Sequence, residues 1–144
     1  MNELPKADAA SEFLACCGSA EWARLMSEAR PFRMLGDMFE KADTIWSSLL
    51  PSDRLEAFAA VKRDGREVIE SFAENDRAQF DELDSLYEIK FGFIFIVNTS
   101  GRRSGEILAI CRVRLGNSVE TELAIASHEF RGIMETRLAR LIER

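Results

Sequence analysis

Few side chains in this sequence could carry out catalysis, and their spacing narrows the chemistry further. There is one histidine, His128, and there are three cysteines, two of them adjacent at Cys16 and Cys17. Near the end of the chain, a helix advancing 100° per residue sets an inward stripe through Leu123, Ala126, Phe130, Ile133, Met134, Leu138 and Leu141. Arg137 follows Phe130 by seven residues and falls about 20° from the middle of that stripe. A guanidinium turned inward must pair with a carboxylate, snorkel outward, or face a cavity that holds an anion. Its planar fork suits a carboxylate guest. His128 precedes Arg137 by nine residues, which places it on the opposite face as a solvent-side residue. No serine or cysteine therefore gains a histidine base, so triad chemistry has no support. The cysteines have neither a disulfide framework nor metal-ligand spacing and read as reduced core thiols of a cytosolic protein, with no metal site.

A second stretch bears on binding: Tyr87 to Val97, Tyr-Glu-Ile-Lys-Phe-Gly-Phe-Ile-Phe-Ile-Val. Gly92 is the residue there free to take backbone angles that a Cβ forbids, and it reads as a hinge. From Phe93 to Val97 every residue is apolar, so the run reads as a buried core strand or helix end. Its backbone N–H and C=O groups must be satisfied by neighbouring elements or by a bound polar ligand.

The elements that position these groups read as helices joined by short turns. Ala9 to Cys17 is a short apolar helix with Gly18 as a left-handed cap. Ser19 caps Glu21 to Ala29, and Pro31 stops that helix. Met34, Met38, Ala42, Ile45 and Leu49 recur at helical spacing, as plain core and not as a cofactor box. Ser52 caps a helix carrying Leu55, Phe58 and Ala59, closed by Gly65. From Arg66 to Lys90 the pattern is helical, with a break expected at Glu74-Asn75-Asp76. Asn98 to Arg103 is a turn, and its Arg102 and Arg103 read as solvated. Ser104 caps a helix with Ile107, Leu108, Ile110 and Cys111 inward, closed by Gly116. Asn117 and Glu120 form a capping box that opens the last helix, running to about Ile142.

Composition bounds the class. A chain of 144 residues, 47% hydrophobic and 31% charged, is one soluble domain able to bury a continuous core. A net charge of -6 argues against a nucleic-acid partner. No stretch approaches the ~18 apolar residues of a membrane span and no signal peptide is visible, so a cytoplasmic location is expected.

Several motifs in register now carry a resemblance: Cys16-Cys17-Gly18-Ser19 with Trp22, Arg30-Pro31-Phe32, Tyr87 through Phe95, Arg114-Leu115-Gly116-Asn117, and Arg137-Leu138. In this order, over nearly the whole chain, they resemble the decarboxylases of 2-oxo-4-hydroxy-4-carboxy-5-ureidoimidazoline (OHCU). The resemblance implies an all-α fold, a single-domain bundle of about seven to eight helices over residues 1–144. It implies a cofactor-free homodimer acting late in urate breakdown, where a carboxylate is removed to give S-allantoin. By the same resemblance Phe93, Ile94, Phe95 and Ile96 lend backbone groups to the pocket of a small anionic ureide or imidazoline. Arg137 matches the substrate-binding arginine.

The sequence also departs from that family. Val61-Lys62-Arg63-Asp64-Gly65 stands where the family has His-Pro-Arg-Ile-Gly, so its catalytic histidine is Val61 here. The segment carrying the family's glutamate is shortened, and Glu67, Glu70 and Glu74 have no assured match to it. Loss of a general acid/base costs about 10²- to 10⁴-fold in rate. Lys62 is the nearest substitute, although a solvated charge cluster also explains it. The chain thus reads as a family protein with altered or lost chemistry. The alternatives are a non-catalytic ureide-binding homologue and a helical partner subunit.

Overall fold

A computed structural model describes residues 1–64 and 67–143, without the side chains of residues 62–64 and 67. Gly65 and the side chain of Lys62, both invoked above, lie outside what is described. Among the described residues the chain is all helical: α1 Lys6–Cys17, α2 Ala20–Glu28, α3 Leu35–Ser48, α4 Pro51–Asp64, α5 Glu67–Glu70, α6 Glu74–Phe91, α7 Ser104–Arg114 and α8 Val119–Ile142. They fall into two compact units, one of residues 1–60 with the chain from 131 onward, the other of residues 61–130.

The first unit begins with a corner set by local chemistry. Gly18 ends α1 at φ 71°, its N–H donating to the Leu14 carbonyl, and the buried Ser19 hydroxyl accepts the Trp22 N–H at 3.2 Å. A left-handed residue followed at once by an N-cap turns the chain within two positions. Helix α1 therefore packs on α2, which packs in turn on α3. Trp22 is fully buried, edge-on to Phe13 at 5.9 Å, and its indole N–H donates to the Ala42 carbonyl at 3.2 Å. That bond spares a buried indole from lacking an acceptor. Met38, Ala42, Ile45 and Leu49 are buried as their spacing predicts, but Met34 is 71% exposed because it precedes α3 as its N-cap.

Three expectations in this region and beyond are corrected. Ser52 does not cap α4, which already starts at Pro51, a position where a missing N–H costs nothing. Leu55 and Ala59 are exposed, and the buried face of that helix carries Ala57, Phe58 and Val61. The break after α5 falls at residues 71–73, and Glu74-Asn75-Asp76 forms the first turn of α6. Carboxylates there face the positive end of the helix dipole, so polarity that suggested a loop instead favours a start.

The second unit is built on aromatic side chains. Helix α6 packs on α7, and Tyr87 is surrounded by Phe91 at 4.4 Å, Phe95 at 5.4 Å and Phe93 at 5.9 Å between ring centres. Gly92 closes α6 at φ 82°, with its N–H on the Glu88 carbonyl. A Cβ there would meet nothing within 4 Å, so only the backbone angle demands glycine. Ser104 is the first residue of α7, not its cap, and its hydroxyl donates to Asp76 at 2.6 Å. The capping bond of α8 comes one residue later than expected: Ser118 Oγ accepts the Thr121 N–H at 3.2 Å. Gly116 follows the Leu115 cap of α7. Arg102 is not solvated; it is half-buried and pairs with Glu129, whose carboxylate also accepts the Asn98 N–H.

Candidate functional site

In the second unit the residues Phe93 to Val97 leave the glycine cap of α6 without joining a helix, and all five are buried. An irregular buried run has no ladder to satisfy it, so each peptide group needs its own account. The Ile96 carbonyl accepts Arg114 Nη1–H at 2.6 Å. Among the described residues, the N–H and C=O of Ile94, the N–H of Ile96 and the N–H and C=O of Val97 hydrogen-bond to no other group. Ile94, Ile96 and Val97 are 3%, 1% and 6% exposed. Alternating donors and acceptors along an extended backbone can pair with a ligand that itself alternates N–H and C=O, as a urea or amide does.

The anchor of that run is a buried network that sequence reading missed. Arg114 Nε donates to Glu122 Oε1 at 2.7 Å, Tyr87 donates to the same oxygen at 2.7 Å, and Asn117 Nδ2 reaches Glu122 Oε2 at 2.8 Å. The guanidinium carbon stands 4.5 Å from the Phe95 ring centre and 5.8 Å from that of Tyr87. Burial and the Glu122 carboxylate push the Tyr87 phenol well above its ordinary range, so it stays protonated as the donor. The available signal was Arg114 and Glu122 placed eight residues apart, on either side of the Gly116-Asn117 turn.

In the first unit, Arg137 lies on the last turns of α8 and is half-buried. Among the described residues no carboxylate or carbonyl bonds its guanidinium. Its charge is felt at Cys17, though burial dominates there and pushes the thiol up to about 12, which removes it as a nucleophile. His128 is exposed, as its position on the helix predicts. Val61, where the resemblance expects an acid/base histidine, is 5% exposed and offers no proton. A cavity of about 760 Å³ also opens in the first unit among Met1, Leu4, Phe32, Met34, Met38 and Leu141; Arg137 does not line it. Among the described residues no cluster of His, Cys, Asp and Glu could hold a metal, and no helix is long and apolar enough to cross a membrane.

Comparison with known proteins agrees with the resemblance read from the motifs. The chain is 33% identical over 149 aligned positions to the uric acid degradation bifunctional protein TTL of Arabidopsis thaliana, covering 90% of this chain and 46% of that protein. It thus spans about half the length of that relative. A crystal structure of OHCU decarboxylase in the presence of (S)-allantoin superposes with a TM-score of 0.84 at 33% identity, covering 92% of this chain and 98% of that one. The structure of an (S)-allantoin synthase shares the fold at a TM-score of 0.77 and 21% identity, covering 96% of this chain and 51% of that one. The family model of OHCU decarboxylase matches residues 2–139, so with its all-helical fold the chain belongs to the OHCU decarboxylase family.

Proposed function

We propose that this chain binds the anionic ureidoimidazoline and ureide compounds of urate breakdown, and that its decarboxylation chemistry is altered or lost. One observation carries the binding half: a guanidinium at Arg137, half-buried and bonded to no described residue. Such a group supplies a fork for a substrate carboxylate. Within the second unit, the N–H and C=O of Ile94 and the N–H of Ile96 bond to no described residue and can meet a ureido group. That the solved relative was crystallised in the presence of (S)-allantoin supports this ligand class.

The chemical half rests on Val61. When the C–C bond to a departing carboxylate breaks, carbon dioxide leaves and the electron pair stays on the ring carbon, which a general acid must protonate. Valine holds no proton. We read the match to the family over residues 2–139 as one domain that includes both units, working as a homodimer without a cofactor. Cys16, Cys17 and Cys111 are buried thiols outside any disulfide, which supports a reducing, cytoplasmic setting.

Calorimetric titration with (S)-allantoin tests the binding. Heat that disappears in Arg137→Ala supports it; absence of heat from the unmutated chain favours the alternative of a helical partner subunit. Carbon dioxide release from freshly made OHCU separates altered chemistry from lost chemistry.

A further inference from the structure

The cavity of about 760 Å³ in the first unit takes no part in the ureide reading, yet its volume is that of a small-molecule pocket. Its rim is held in place by hydrogen bonds. The Asn2 amide clasps the Phe32 peptide, Nδ2 donating to the carbonyl at 2.9 Å and Oδ1 accepting the N–H at 3.0 Å. Arg30 Nη1 donates to the Met1 and Leu4 carbonyls at 2.8 and 2.7 Å. The recess is therefore framed by fixed main chain. What lines it departs from local rules. Met34 stands at the N-cap of α3 without a side-chain capping bond, where serine, threonine, aspartate or asparagine would satisfy a free N–H. Met34 and Leu35 are 71% and 55% exposed, so packing inside the protein does not offset that loss. Apolar side chains that forgo a cap and stay exposed beside a recess mark a surface shaped for an apolar guest. Methionine suits such a wall because its unbranched thioether adapts to different shapes, and three of the five methionines, Met1, Met34 and Met38, line this one.

The polar groups of the lining decide the charge of the guest. Asn2 is engaged with Phe32, and Glu12 already has a partner. Arg33 lines the recess and bonds to no described residue, so its fork is open. We propose that this recess binds an amphipathic carboxylate, its hydrocarbon body among Met34, Leu35, Met38 and Leu141 and its head group on Arg33. The site is independent of the ureide reading, since Arg137 does not line it.

Octanoate and 1-octanol are the probes, followed by NMR of the methionine methyl groups on the full chain. Met26 and Met134 are fully buried and do not line the recess, so they serve as internal controls. The proposal expects octanoate to shift Met1, Met34 and Met38 saturably and to leave Met26 and Met134 unmoved. Arg33→Gln, at an exposed position, should weaken octanoate binding about tenfold, the loss of one charge-assisted hydrogen bond, and leave 1-octanol binding unchanged. Met34→Ser should weaken both probes while raising the melting temperature through the new cap. No saturable shift at Met34 and Met38, or equal shifts at Met26 and Met134, overturns the site. Octanoate binding that survives Arg33→Gln unchanged overturns the carboxylate as the recognised head group. Shifts that follow protein concentration in the absence of octanoate would mean that a second copy fills the recess, and the proposal falls.

Discussion

A Cβ placed on Gly18 would stand 2.6 Å from the Cβ of Ala60, closer than real side chains approach. The same glycine holds φ 71°, so two independent penalties meet at one residue. Left-handed backbone costs about 1–2 kcal/mol for an alanine and overpacking costs about 1–3 kcal/mol more. Gly18→Ala should therefore destabilise the chain by about 2–5 kcal/mol in urea denaturation. Gly36→Ala, in α3 with nothing within 4 Å of the new methyl, should stabilise it by about 0.4–1 kcal/mol.

Removing one partner of the buried Arg114–Glu122 pair leaves a desolvated charge behind. Glu122→Ala is expected to cost about 3–5 kcal/mol, measured by chemical denaturation. Tyr87→Phe removes one donor to a carboxylate that keeps two others, and should cost only about 1–2 kcal/mol.

The carboxyl of Glu135 is raised above its ordinary 4.5, first by burial and then by the neighbouring Asp43, with Arg131 opposing. Arg131 Nε lies 3.4 Å from Asp43 Oδ1, an ion pair without hydrogen-bond alignment. A raised carboxyl favours the fold while protonated, and that contribution is lost as pH rises through the folded-state value. Glu135→Gln should thus be more stable than the unmutated chain at neutral pH, and the difference should close below pH 4.5. Because the side chain is 40% exposed, solvent screening keeps the gap under about 1 kcal/mol. Melting temperatures across pH 3.5 to 7.5, taken as a range of about four units around the ordinary Glu value, check it.

Burial pushes the Cys17 thiol up to about 12 and the Cys111 thiol up to about 11. Neither forms appreciable thiolate at neutral pH, and the thiolate is the reactive species. Disulfide-exchange reagents should leave both unmodified in the folded chain and label them on unfolding in urea. Rapid labelling of Cys17 under native conditions would contradict the packing of α1.

On the proposed reading, a histidine placed at position 61 should supply the missing proton delivery. Val61→His is expected to raise carbon dioxide release from freshly made OHCU by about 10²-fold or more, the usual worth of a general acid. Adding Arg137→Ala should remove that gain. An unchanged rate in Val61→His would show that the missing acid/base does not lie at this position.

What the sequence disclosed was local. The Gly18-Ser19 corner, the unusual backbone angle of Gly92 and the burial of Phe93 to Val97 each depend on neighbours within a few residues, although Gly92, read as a hinge, proves to be the cap of α6. Arg114 and Glu122 were not legible as a pair, because charged residues on consecutive helices give no periodicity to say they face inward. Ser104 illustrates the opposite error. A residue type favoured at caps found a better acceptor in Asp76, 28 positions earlier, which no local rule foresees. Arg137 was located on its helix by geometry alone, about 20° from the middle of the inward stripe, and it is half-buried there.

The run from Ile94 to Val97 presents main chain, and main chain is the same in every protein. Substitutions along it can reshape the volume of a recess but cannot delete its amide donors, short of proline. On the proposed reading, a run of that kind tolerates drift in its side chains while keeping the groups it offers a ureide, so binding could outlast catalysis.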